Sequence, residues 1–143
     1  MVMAVVVGPA RRRHKLARHI DEERIRSAIL AAEAGTTGKI HVTLSHDFKG
    51  STFEHASRAF MRLRLDRSSD RNGVLFFVVP SRREFAVIGD AGIYQKVGQE
   101  FWDRVVDAVS EKTKAADLSS GLVHGIEEAG RELRVHFPSE RAR

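Results

Sequence analysis

The sequence predicts an α/β protein: a three-layer α/β/α sandwich with a small mixed sheet and helices on both faces. Three observations predict it. Val74–Val79 is apolar at every position, as suits a central strand covered on both faces. Gly38–Ser45 alternates apolar and polar residues, as a half-buried strand does. Around these two strands lie four stretches with apolar residues at helical spacing.

Each element has its own signals. Asp21 caps the first helix, and Glu22 and Glu23 favour its positive end. Ile25, Ala28, Ile29 and Ala32 form its apolar stripe, and Gly35 ends it. In the first strand Ile40, Val42 and Leu44 point one way, and Lys39, His41 and Thr43 the other. Ser51-Thr-Phe-Glu reads as a capping box. The helix it opens carries Phe53, Ala56, Phe60 and Leu63 on one stripe, with Arg58 and Arg62 off it, and ends near Leu65. Because a helix joins them, the first two strands can be parallel. Pro80-Ser-Arg-Arg is too short for a crossover, so Glu84–Ile88 returns antiparallel as a hairpin. Gly89-Asp-Ala-Gly then reads as a turn, with Gly89 and Gly92 supplying permissive φ. Val97, Phe101, Val105 and Val109 line a third helix. Asp117 opens the fourth, on which Leu118, Leu122, Ile126, Ala129 and Leu133 recur at helical spacing. Gly121 and Gly125, four apart on it, allow another element to pack close, and Pro138 closes the domain.

Composition limits the function classes. The 143 residues suit one domain with one core. With no cysteine, disulfides, thiolate metal sites and a Cys nucleophile are excluded. The formal charge is +5, yet residues 1–20 hold Arg11, Arg12, Arg13, Lys15 and Arg18 and no acid. The rest of the chain is formally neutral, so the charge argues for a basic flexible tail over residues 1–18 and against nucleic-acid binding by the domain. A single domain is expected over 19–138, with a short C-terminal tail over 139–143. Val2–Val7 is too short to span a bilayer and lies on the wrong side of its basic cluster for a signal peptide. The expectation is a cytoplasmic chain without a membrane span; its oligomeric state is not readable.

The topology sorts polar residues onto two rims. The first holds Ser45, His46 and Asp47, near Pro80–Arg83. Their adjacency in sequence is not triad geometry, and a solvated strand end is the default. The second gathers Lys39, Asp70, Arg71, Asn72 and Asp90. Asp70 and Asp90 are the metal candidates, for calcium or magnesium, with Asn72 a further oxygen donor. Lys39 and Arg71 oppose a cation by charge, so a salt-bridged rim is preferred to a metal site. The seven histidines form no helical metal-ligand pair, and no phosphate-binding glycine loop is present.

Several stretches resemble the TPM domain family, related to the thylakoid-lumen acid phosphatase of photosystem repair. They are Thr37-Gly-Lys-Ile-His-Val, Arg71-Asn-Gly-Val-Leu-Phe-Phe-Val, Phe85-Ala-Val-Ile-Gly-Asp-Ala-Gly-Ile, Lys96-Val-Gly-Gln-Glu-Phe-Trp and Leu118-Ser-Ser-Gly-Leu-Val-His-Gly-Ile. Their order and spacing carry the resemblance from about Asp21 to Pro138. It implies an α/β/α sandwich, an acidic metal site and, in some members, weak phosphatase activity. Two departures matter. Lys39 and Arg71 stand where the family often has carboxylates. This change weakens a divalent-cation site and makes Lys39, Arg71 and Asn72 candidates for an anion. The expected function is a noncatalytic module that binds a protein partner or a small anion. The alternative is a metal-dependent, acid phosphatase-like hydrolase.

Overall fold

The structure, a computed structural model, describes residues 20–140 and the backbone of residues 2–9. The elements in chain order are β1 (Val2–Pro9), α1 (Glu22–Glu33), β2 (Lys39–Leu44), α2 (Thr52–Arg62), β3 (Gly73–Val79), β4 (Glu84–Asp90), α3 (Ala91–Ala115) and α4 (Leu118–His136). One 3-10 turn, Pro80–Arg82, closes the β3–β4 hairpin, and Arg83 completes it at φ 55°.

The four strands form one mixed sheet in the order β1-β4-β3-β2. β2 runs parallel to β3 with Ile40 beside Val74, and β3 runs antiparallel to β4 with Phe76 opposite Val87. The parallel and hairpin pairings are those the connection lengths predict. β1 corrects the sequence reading. Val2–Pro9, expected within a flexible tail, pairs antiparallel with β4, placing Val5 opposite Ile88. The physical reason is the edge that β4 would otherwise present, an apolar strand with unpaired N–H and C=O groups. The short apolar run has the same signature as β3 and satisfies that edge. The basic residues Arg11, Arg12, Arg13, Lys15 and Arg18 lie outside the described residues. At the other end, Ser139 donates its N–H to the Gly35 carbonyl at 3.0 Å, so the C-terminal segment begins pinned to the end of α1.

Helices cover both faces. On one, α1, α3 and α4 pack over Val74, Phe76, Val78, Phe85 and Val87. On the other, α2 packs over Leu75, Phe77, Val79, Ala86 and Ile88, with Phe48 and Leu65 beside it. The buried stripe of α2 differs from the expected one. Thr52, Ala56, Ala59 and Phe60 face the sheet, while Phe53 and Leu63 are exposed. The small Ala56 and Ala59 bring the helix backbone close to the sheet, and Phe60 fills the remaining space. The stripe is rotated away from the two larger side chains.

Close packing of α3 on α4 explains the glycine pair. A Cβ at Gly121 would lie 2.1 Å from the Thr113 hydroxyl oxygen, and one at Gly125 would lie 2.7 Å from Val109. α4 starts at Asp117, whose carboxylate accepts the Ser120 N–H at 2.7 Å. That hydrogen bond holds the Asp117 carboxyl below its ordinary value of 3.8. A depressed carboxylate pKa stabilises the fold above the unfolded value, and the contribution is lost as pH falls through the folded value. Asp117→Ala should therefore cost about 1 kcal/mol at neutral pH through the lost cap. Urea denaturation of both chains should show the gap constant above about pH 4 and shrinking below it.

Candidate functional site

The second rim forms where β4 hands the chain to α3. Asp90, fully buried, is both the last residue of β4 and the N-cap of α3, and its Oδ1 accepts the Ala91 N–H at 2.8 Å. The next two N–H groups of α3, from Gly92 and Ile93, donate to the Arg71 carbonyl at 2.7 and 3.2 Å. The helix thus starts immediately at Ala91, and the expected turn is a strand-to-helix junction. Gly89 and Gly92 do not have positive φ; they provide space. A Cβ on Gly89 would meet Trp102 at 2.6 Å, and one on Gly92 would meet the Asp70 carbonyl at 2.0 Å.

Arg71 serves this junction twice. Its carbonyl caps α3, and its guanidinium grips Asp90. Nε donates to Oδ2 at 2.7 Å and Nη2 to Oδ1 at 3.0 Å, a fork-to-fork pair. The Asp90 hydrogen bonds and charge hold the Arg71 pKa above the ordinary arginine value. The double role depends on a backbone φ of 51°, unusual for a residue with a side chain and costing about 1 kcal/mol. The fixed pair compensates that local strain.

Asp70 and Asn72 form a neighbouring network. Thr37 Oγ1 donates to Asp70 Oδ2 at 2.7 Å and accepts from Asn72 Nδ2 at 2.9 Å. Ser68 Oγ donates to Asn72 Oδ1 at 3.1 Å. Asn72, fully buried, thereby has both ends of its amide satisfied, and it ties β3 to the approach to β2. Lys39 is exposed and makes no ion pair or side-chain hydrogen bond among the described residues. Of the five candidate residues, the structure pairs Arg71 with Asp90 and Asp70 with Asn72 through Thr37. Sequence reasoning missed Thr37 and Ser68. Hydroxyls joined across 31 residues leave no periodic signal.

This donor set does not suit a divalent cation. Calcium takes about 6–8 oxygens, and magnesium demands an octahedron. Both Asp90 oxygens here receive N–H groups, and a fixed positive charge lies against them. Among the described residues no group of three His, Cys, Asp or Glu side chains gathers in metal-binding proximity.

The first rim is held by Arg82. Its Nε donates to Asp47 Oδ1 and its Nη1 to the Gly50 carbonyl, both at 2.8 Å, while its guanidinium lies 4.2 Å from the Phe48 ring centre. The Arg82 hydrogen bond, then the Phe48 N–H, hold the Asp47 carboxyl below its ordinary value. Ser45 donates to the His46 carbonyl at 2.8 Å, so these neighbours form no nucleophile–base pair with each other.

The TPM domain model matches residues 16–132. The solved structure of the BA42 protein from the psychrophilic bacterium Bizionia argentinensis is similar at 31% identity, with a TM-score of 0.77, over 93% of this chain and 92% of that one. No curated protein matches the chain. A family-model match over most of the chain makes it a member of the TPM domain family.

Proposed function

We propose that the chain is a noncatalytic TPM domain that binds a partner, with Arg71 supplying internally the positive charge that an acidic rim would otherwise take from a bound cation. The observation that carries this reading is the fork-to-fork pair between Arg71 and the buried Asp90. The pair commits the rim's buried carboxylate to structure. A small anion at this rim would meet Lys39, since the Arg71 guanidinium is engaged, and this favours a protein or surface as partner over phosphate.

Family membership supports the alternative, a metal-dependent, acid phosphatase-like hydrolase. A phosphomonoester assay decides between them. p-Nitrophenyl phosphate is offered to the wild type and Asp90→Asn with calcium, magnesium, manganese or zinc. The expected result is no turnover above background in either protein. Metal-dependent turnover by the wild type, lost in Asp90→Asn, would establish the hydrolase instead.

A further inference from the structure

The outer face of α2 is unlike the rest of the surface. Among the described residues six large apolar side chains are exposed, and three of them, Phe53, Met61 and Leu63, belong to this helix and its C-cap. Met61 stands between Arg58 and Arg62 on the outer face, while Phe53 flanks it and Leu63 lies at the helix end beside Arg64; all three arginines are exposed. Arg58, Met61 and Arg62 stand at i, i+3 and i+4, on one stripe. Leu63 and Arg64 follow as the helix ends, where the positive φ of Arg64 turns the chain. None of the three arginines has an ion pair or side-chain hydrogen bond among the described residues. Glu54, one turn before Arg58, is the acid on this face. Arg67, just beyond, is already paired with Asp66.

From this we infer that the outer face of α2 docks on an anionic lipid surface. Charge complementarity identifies the occupant. Unpaired arginines attract phosphate headgroups, and apolar side chains between them enter the boundary below the headgroups. A nucleic acid would use the arginines and leave Met61 and Leu63 in water. The opposite face of α2 is fixed to the sheet by Ala56, Ala59 and Phe60, so the helix presents this stripe without rearrangement. The inference does not depend on the noncatalytic reading, because a hydrolase would carry the same face.

The test is co-sedimentation of the full chain with two kinds of vesicle, one of phosphatidylcholine and one of equimolar phosphatidylcholine and phosphatidylglycerol. The expected result is binding to the anionic vesicles alone, weakened by salt. Each arginine near such a surface contributes about fivefold in affinity. Arg58→Gln/Arg62→Gln/Arg64→Gln should therefore bind at least about tenfold more weakly, and Met61→Ser/Leu63→Ser several-fold more weakly. Both variants change exposed residues, and an unchanged thermal midpoint confirms their folding. Three results would overturn the inference: no binding to anionic vesicles at low salt; equal binding by wild type and the arginine variant, which would move the contact to residues 11–18; or binding indifferent to the Met61 and Leu63 changes and matched by polyuridylate, which would identify a general polyanion site.

Discussion

Arg71→Ala is expected to lower the thermal midpoint further than Asp90→Ala, although both delete the same ion pair. The two partners differ in their access to water. The Asp90 side chain is fully buried, while the Arg71 side chain keeps 38% of its surface exposed. Removing Asp90 leaves a guanidinium that can turn to solvent. The lost N-cap costs about 1 kcal/mol, or roughly 3 °C for a chain of this size. Removing Arg71 leaves a buried carboxylate without its guanidinium, the costlier half of a broken pair. The fall should be roughly twice as large or more. Arg71→Lys should recover part of it, since an ammonium restores charge but cannot make the two parallel bonds. Thermal denaturation of the three variants and the Arg71→Ala/Asp90→Ala double mutant checks this. The double mutant should be more stable than the sum of the single losses implies.

Gly92→Ala has an expected effect of opposite sign to helix propensity. Gly92 sits in the first turn of α3, and alanine is the better helix former by about 1 kcal/mol in a helix interior. Yet the new Cβ would lie 2.0 Å from the Asp70 carbonyl and 2.7 Å from that of Arg71. Both are backbone atoms, so no side-chain rotation relieves the clash. The β3 approach must move off the helix start, which loses the Gly92 and Ile93 hydrogen bonds to Arg71 and loosens the Arg71–Asp90 pair. We expect a loss of about 3 kcal/mol, at the upper end for overpacking. Urea denaturation reads the sign directly. Stabilisation would mean that the chain does not approach α3 as closely as the structure places it.

The layers of the fold were legible because they rest on local signals. The uniform apolar run of β3, the short β3–β4 connection and the capping side chains of Asp21, Ser51 and Asp117 each do in the structure what the pattern predicts, although Glu54 makes no return hydrogen bond to Ser51 among the described residues. Where prediction failed, a tertiary contact made the decision. β1 is fixed by the open edge of β4, which no local pattern reveals. The buried stripe of α2 turns on how closely two alanines let the helix approach. At Gly89 and Gly92 a turn signature and a close-packing requirement look identical in sequence; Trp102 and the Asp70 carbonyl distinguish them. Of the candidate rim residues, Arg71 meets Asp90, and Asp70 and Asn72 share Thr37, while Lys39 makes no ion pair or side-chain hydrogen bond among the described residues; that pairing is not readable in the sequence. That Arg71 bonds Asp90, while Asp70 turns to Thr37, follows from the left-handed backbone at Arg71.

In our proposal a guanidinium supplies the cation of this rim from within. Thermal-shift titration of the wild type and Arg71→Asp with calcium, magnesium, manganese and zinc tests it most directly. A ligand that binds only the folded state must raise its stability by mass action. No shift is expected for the wild type. Arg71→Asp is expected to have a lower midpoint, raised by a divalent cation once a third carboxylate stands beside Asp70 and Asp90. A metal-induced shift in the wild type that disappears in Asp90→Asn would contradict the proposal and return this rim to metal chemistry.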